Sequence, residues 1–380
     1  MPALIEHRPR KPLRPTDAAR LTLSLVAILT AFVPAALRAD EPDETAFRIR
    51  YQKSADQEIE IVGKPLVTAQ DGGQMILTDA GQLRVVQPES VLSREQLAEP
   101  FTPIDAEEMS RRLLAELPPG FAIHRTKNYL IAHNTFPGYV RWVGILFESL
   151  HRGFHSFFRK ERWPLEKPRF PLVALVFADR ASFDEYARTE LGNHSDTVIG
   201  YYNLETNRMI TFYVPDPERN VATLVHEATH QLAYNTGLQT RFADNPMWVS
   251  EGLAVFFESP HFANPAGWQG AGRVNRVNLE RFRDYQQRRP GNSLAMLLCD
   301  DARFRDPTTA GDAYAEAWAL TYFLIRSQKK AYIDYLRELS RGKPLVERDR
   351  RERVALFESK FDTDLETLDR KFLAFMRTVQ

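Results

Sequence analysis

The stretch ATLVHEATHQLAYNTG, residues 222–237, carries two histidines four positions apart, with a glutamate directly after the first. A helix over this stretch turns by about 100° per residue. Leu224 and Leu232 then share one side of the helix, whereas His226 and His230 lie close together on another. The histidines are therefore not part of the apolar stripe, and the interpretation of the chain depends on what they face.

Signals at both ends of the stretch predict where this helix begins and ends. Asp216 is a good cap, Pro217 suits the first turn, and Asn235 to Gly237 favour a stop. Side chains four residues apart lie roughly 6 Å from each other at Cβ, so two imidazoles can converge on one metal ion. The alternative is an ordinary amphipathic helix with a solvated histidine face.

A second stretch, NPMWVSEGLAVFFE, supplies a candidate third ligand. Asn245 is predicted to cap a new helix and Pro246 to take its first position, which places Glu251 on the second turn. The interval between His230 and Glu251 is long enough for a loop and for the next helix to return antiparallel to the first. His226, His230 and Glu251 would then form a two-histidine, one-carboxylate zinc site that leaves a fourth position open.

The motifs HEATH and SEGLA together resemble the gluzincin metallopeptidases, of the thermolysin and aminopeptidase N type. The resemblance is closest to a family of exported bacterial gluzincin-like proteins of unknown function, and it covers Asp216 to Glu258. It implies that His226, His230 and Glu251 bind Zn²⁺. It also implies that Glu227 is the general base that activates a zinc-bound water for peptide-bond hydrolysis. The Gly-x-Met-Glu-Asn signature of aminopeptidase N is not found before the helix, so an aminopeptidase is not indicated.

Three further roles are weaker predictions. The resemblance implies that the strand RMITFYV, residues 208–214, pairs with an extended substrate, although an interior strand would read the same way. Tyr314 is a candidate oxyanion donor, against a half-buried tyrosine of an amphipathic helix. Glu258 lies seven residues after Glu251 and could bond to a ligand histidine, against a plain solvated glutamate.

Residues 1–39 resemble a signal peptide, with several cations ahead of an apolar run from Leu21 to Leu37. The run is short for a membrane span and contains Pro34, which favours cleavage near Ala39 over a retained membrane anchor. Either outcome predicts an exported protein in the periplasm, the cell envelope or the extracellular space.

The charge balance gives no reason to expect a nucleic-acid partner. The 380 residues contain 50 Lys and Arg and 50 Asp and Glu. Removing residues 1–39 takes away six basic and two acidic residues and leaves 44 and 48, a net charge of about −4. The single cysteine, Cys299, cannot form an internal disulfide and is expected to be a buried apolar residue rather than a nucleophile.

The order of elements predicts an α+β protein. After the signal peptide we expect a small antiparallel β-rich module over residues 40–98 and a linker with helical character over 99–119, since residues 93–117 are polar and helix-leaning. Residues 120–380 are predicted to form a zincin-like (gluzincin) domain with a mixed sheet and a helical C-terminal lobe.

The predicted function is that of an exported zinc-dependent metallopeptidase acting on a peptide or protein substrate. One alternative is a non-catalytic exported binding or scaffold protein on the same fold. Another is a zinc amidase acting on cell-wall material. Glu227 favours an enzyme, because a purely structural zinc site needs only its ligands.

Overall fold

The computed structural model describes residues 44–192, 198–261, 263–264 and 266–380. The predicted signal peptide lies outside these residues. Within them, no helix combines the length and the apolar character needed to cross a membrane. The architecture is α+β, as predicted: an N-terminal antiparallel sheet, a mixed sheet and a set of C-terminal helices.

The N-terminal sheet is antiparallel and has the strand order β4-β3-β2-β1-β5. Two of its turns use glycine at positive φ, Gly72 at 86° and Gly81 at 76°, because residues with a Cβ rarely adopt this conformation. The strands are β1 (Thr45–Ser54), β2 (Gln57–Thr68), β3 (Gln74–Thr78), β4 (Leu83–Val86) and β5 (Val91–Pro100).

The helical character predicted from residue 93 onward was wrong for the first part of that segment. Residues up to Pro100 form strand β5, which pairs with β1 at the edge of the N-terminal sheet. Its side chains are mostly exposed, so the pairing depends on backbone hydrogen bonds and leaves little apolar pattern to read. The helix itself begins only after Asp105, whose carboxylate accepts hydrogen bonds from two N–H groups of the first turn.

The mixed sheet has the strand order β6-β7-β8-β10-β9. Strands β7, β8 and β10 are parallel neighbours, and both edge strands run antiparallel to them. The strands are β6 (Ala122–Arg125), β7 (Tyr129–His133), β8 (Leu172–Phe177), β9 (Gly200–Asn203) and β10 (Arg208–Phe212). Strand β10 is therefore interior, so the suggestion that it pairs with a substrate was wrong, and β9 is the edge strand on that side.

Helices cover both faces of the mixed sheet. Alternate residues of β8 point to opposite faces: Leu175 packs with the first and third helices, whereas Ala174 joins the core beneath the second and fourth. The helices are α1 (Ala106–Glu116), α2 (Pro137–Lys160), α3 (Arg180–Leu191), α4 (Pro217–Asn235), α5 (Met247–Glu258), α6 (Arg276–Gln286), α7 (Ser293–Cys299), α8 (Ala302–Arg305), α9 (Ala310–Ser327), α10 (Lys329–Ser340), α11 (Arg350–Phe361) and α12 (Leu365–Met376).

Helix α4 begins where the sequence predicts. Asp216 accepts hydrogen bonds from the N–H groups of Glu218 and Arg219, and Pro217 takes the first helical position. Gln231 donates to the carbonyl oxygens of Val173 at 2.8 Å and Asn207 at 3.2 Å, which fixes the rotation of α4 against the sheet. The histidine pair thereby faces away from the sheet, towards α5.

The start of α5 differs from the prediction. Asn245 donates to the carbonyl oxygens of Thr240 and Ala243 and does not cap the helix, and Pro246 is the residue before its first turn. The free N–H of Met247 instead donates to the carboxylate of Asp301 at 2.9 Å. The cap thus comes from far along the chain, where a local pattern cannot reveal it.

Gly252 allows α5 and α9 to approach closely. A Cβ at this position would lie 2.7 Å from the carbonyl oxygen of Ala317 and would also collide with the hydroxyl of Thr321. Backbone atoms of α9 cannot move aside cheaply. Helix packing therefore requires Gly252, the glycine of the SEGLA motif. The residue before it, Glu251, is the one that the motif contributes to the candidate metal site.

We expect Gly252→Ala to lower the free energy of unfolding by about 1 to 3 kcal/mol, because the added methyl group forces α5 away from α9. Gly138→Ala is the matched control. It lies in the first turn of α2, where the nearest atom to a new Cβ is 3.9 Å away. Chemical denaturation of both variants measures the difference, and equal midpoints would contradict the packing argument.

Candidate metal centre

The two histidines of α4 are buried rather than solvated. His226 is 3% and His230 1% exposed, and the residues from Thr223 to Tyr234 are buried on all sides of the helix. The alternative of a solvated histidine face is therefore excluded. An imidazole pair at this depth needs polar partners, because unpaired buried polar groups are costly.

Helix α5 supplies those partners by running antiparallel to α4. His226 reaches Glu258 near the end of α5, whereas Gln239, beyond the end of α4, donates to Ser250 near its start. Between these contacts, the side chain of Glu251 is directed at both imidazoles and has no solvent exposure. The return predicted from the interval after His230 thus brings the three candidate ligands together.

The three candidate ligand atoms form a compact triangle. The Nε2 atom of His226 lies 3.1 Å from Oε2 of Glu251 and 3.2 Å from Nε2 of His230, and the third side, from His230 to Glu251, measures 3.6 Å. No other group of three or more His, Cys, Asp or Glu side chains with this proximity occurs in the described part of the chain.

This triangle has the size that a tetrahedral zinc ion requires. Zinc bonds to nitrogen and carboxylate oxygen of about 2.0–2.1 Å imply ligand-to-ligand distances of about 3.3–3.4 Å. The three observed sides scatter around that value. Two imidazoles and one carboxylate also match the donor set of known zinc sites, so the residues fit the ion in both size and chemistry.

The electrostatics of the cluster favour a positive charge. Burial opposes protonation of His226, but hydrogen bonds to Glu251 and Glu258 and the charge of Glu227 raise its pKa well above the usual value. Burial likewise opposes ionisation of Glu251, yet the neighbouring imidazoles lower its pKa to about 2. The same groups that stabilise a proton here would stabilise a metal cation, which competes for the same nitrogen.

Glu258 orients the ring of His226 through the ring nitrogen that lies outside the triangle. Its Oε2 accepts a hydrogen bond from Nδ1 of His226 at 2.8 Å, which leaves Nε2 directed at the triangle. Asn275 holds the other carboxylate oxygen at 2.9 Å and also caps α6. The sequence placed Glu258 on the right helical face, but nothing in it pointed to Asn275.

The remaining candidates, Glu227 and Tyr314, are both buried and interact electrostatically with the triangle. Glu227 is 1% exposed and close enough to contribute to the raised pKa of His226. Tyr314 is buried, and this burial, together with the carboxylates of Glu251 and Glu227, raises the pKa of its phenol well above the usual value. The phenol therefore stays protonated beside the cluster and can donate a hydrogen bond.

The position of Tyr314 depends on a buried ionic network two residues further along α9. The carboxylate of Glu316 has no solvent exposure and accepts hydrogen bonds from Arg289 and Arg303 at 2.7 Å each, and from Ser293. Removing one partner of such a network leaves a buried charge uncompensated. Nothing in the sequence indicates this network, because its members come from four separate segments.

Cys299 is partly exposed, not buried as expected. Partial burial and the nearby carboxylate of Asp300 raise the pKa of its thiol. A raised pKa opposes nucleophilic reactivity at neutral pH. The surroundings of the sulfur therefore disfavour the nucleophilic thiolate form.

One family profile matches the chain. It is described as "Protein of unknown function (DUF1570)" and covers residues 220–346, about a third of the chain. The matched segment contains the triangle, Glu227 and Tyr314. No curated protein matches the chain significantly.

Proposed function

We propose that this protein is an exported, zinc-dependent peptidase of the gluzincin type. The observation that carries the proposal is the triangle of His226, His230 and Glu251, with the carboxylate of Glu227 next to it and outside the ligand set. The signal-peptide character of residues 1–39 supports action outside the cytoplasm.

The residues of the chain divide the work as follows. His226, His230 and Glu251 would hold the ion, which when bound supplies Lewis acidity towards a carbonyl group and lowers the pKa of water. Glu227 would accept the proton of the attacking water and pass it to the leaving amine. Glu258 keeps His226 in the required orientation. A donor role for the protonated phenol of Tyr314 stays a prediction.

Zinc content tests the ligand assignment. We expect the purified protein to retain about one zinc ion per chain and His226→Ala to lose it, because the triangle is then missing one corner. His151→Ala is the matched control, since His151 and His155 form another pair four residues apart, in α2. Elemental analysis after gel filtration measures the metal, and zinc retained by His226→Ala would show that the assignment is wrong.

Chelator competition tests the orienting role of Glu258. Glu258→Ala should weaken zinc affinity by about 10- to 100-fold, because His226 loses the acceptor that fixes its ring. Glu258→Gln keeps an oxygen acceptor in the same place and should show a smaller loss. If the two variants bind zinc as tightly as the wild type, Glu258 has no part in holding the site.

Digestion of a peptide mixture, followed by mass spectrometry, tests the catalytic step. Glu227→Gln should lower the cleavage rate by about 10²- to 10⁴-fold while zinc content is unchanged, because the general base is lost and the ligands remain. Glu218→Gln is the control, since it makes the same change at an exposed position of the same helix.

Two outcomes of the digestion would redirect the proposal. Zinc-loaded wild type that cleaves no peptide would favour the scaffold alternative. Release of products from cell-wall material, without cleavage of ordinary peptides, would favour the amidase.

A further inference from the structure

A groove of about 870 Å³ lies on a different part of the molecule from the candidate metal centre. Its walls are the turn between β6 and β7, the second half of α2 and the segment that leads into β8. None of the triangle residues lines it. We call it the cationic groove, because among the described residues it is lined by six positively charged side chains and by only one carboxylate: Arg125, Lys127, Arg152, Arg159, Lys167 and Arg169, with Glu148.

The single carboxylate does not neutralise these cations. Glu148 accepts hydrogen bonds from the hydroxyl of Thr126 and from the backbone and side-chain N–H groups of Asn128, each at 2.7 Å. Its oxygens are therefore committed to the turn between β6 and β7. The acid shapes the groove wall, and the positive charge remains available.

Most of the cations have no ion-pair partner among the described residues. Arg169 is paired with Glu44, and Arg152 donates only to the hydroxyl of Ser149. The other four are exposed and form no ion pair within the described ranges. The whole chain has equal numbers of basic and acidic residues, yet unpaired cations are concentrated around this groove. Their mutual repulsion is unfavourable unless an anion occupies the groove.

Two imidazoles also belong to this wall. His151 and His155 pack against each other with ring centroids 4.5 Å apart and ring planes inclined at 39°, and the Nε2 atom of each is shielded from water and has no hydrogen-bond partner among the described residues. Burial, and then the neighbouring His155, lower the pKa of His151 to about 4, so its ring is neutral at neutral pH. This ring therefore adds no charge to the groove, whose positive charge comes from its arginine and lysine side chains.

We propose that the cationic groove binds an extended polymer that carries repeated phosphate groups. Guanidinium groups match phosphate oxygens in a two-pronged geometry, and lysine binds phosphate as a point charge. One phosphate ion can contact only a few of the cations that line the groove, whereas successive phosphates of a polymer can contact all of them.

Two other polyanions, an anionic membrane and a nucleic acid, fit the groove less well. The largest exposed apolar side chains of the described residues do not line it, so nothing there would enter a lipid bilayer. Its tyrosine and phenylalanine side chains, Tyr129 and Phe170, are buried and offer no exposed ring on which a nucleobase could stack. A phosphate chain without bases needs neither feature.

Binding of fluorescently labelled inorganic polyphosphate, measured by anisotropy against salt concentration, tests the proposal. The test variant combines Lys127→Ala, Arg152→Ala and Arg159→Ala. The matched control combines Arg305→Ala, Arg351→Ala and Arg377→Ala, which removes the same charge from exposed positions outside the groove. Circular dichroism of both confirms folding, which surface substitutions leave intact.

We expect the groove variant to lose at least about tenfold in affinity and to flatten the dependence of log K on log salt by on the order of two, because three phosphate contacts are lost. The control variant should bind as the wild type does. Equal losses in the two variants would overturn the proposal, since they would show a non-specific charge effect.

Competitors decide the ligand chemistry. Orthophosphate should displace polyphosphate only weakly, because a single ion contacts only a few of the cations. Poly-glutamate should also displace it only weakly, because it carries carboxylates instead of phosphates. Poly-glutamate binding equal to that of polyphosphate would overturn the phosphate assignment. Tighter binding to phosphatidylglycerol vesicles or to a single-stranded oligonucleotide, lost in the groove variant, would overturn it in favour of a membrane or a nucleic acid.

Discussion

The carboxylate of Glu251 is buried without solvent contact between two imidazoles, and much of the surrounding structure exists to make that burial possible. Removing a carboxylate from water is costly unless opposite charge and hydrogen bonds surround it. Helix α4 must therefore present both histidines on the side away from the sheet, and α5 must return antiparallel. Gly252, the next residue, lets α9 close over the far side of α5.

The burial also explains the second layer of polar contacts. Glu258 and Asn275 fix His226 from one side, and the protonated phenol of Tyr314 lies against the carboxylates on the other. The charge of Glu316 is matched by two arginines, which holds α9 and its tyrosine in place. Each partner is itself paired, so these contacts hold the two histidines and Glu251 in a fixed arrangement.

The sequence revealed the parts of this arrangement that depend on local chemistry. A cap, a proline and a helical period located α4, and the position of Glu251 on the following helix brought it within 3.1 Å of His226. The missing parts all involve distant partners. Asp301 supplies the acceptor for the first N–H group of α5, and the exposed strand β5 lacks an apolar pattern, so most of it reads as part of a polar, helix-leaning segment. Such contacts appear only when the chain is folded.

A comparison within the molecule shows what histidine spacing alone can and cannot indicate. His151 and His155 repeat the separation of His226 and His230 on another helix, but their environments are opposite. Carboxylates raise the pKa of His226, whereas burial and neighbouring positive charge lower that of His151 to about 4. The surroundings of the first pair thus favour a positive charge, whereas the second pair lies among unpaired cations that disfavour one. Two histidines four residues apart predict a geometry, and the charges that fold around them decide its chemistry.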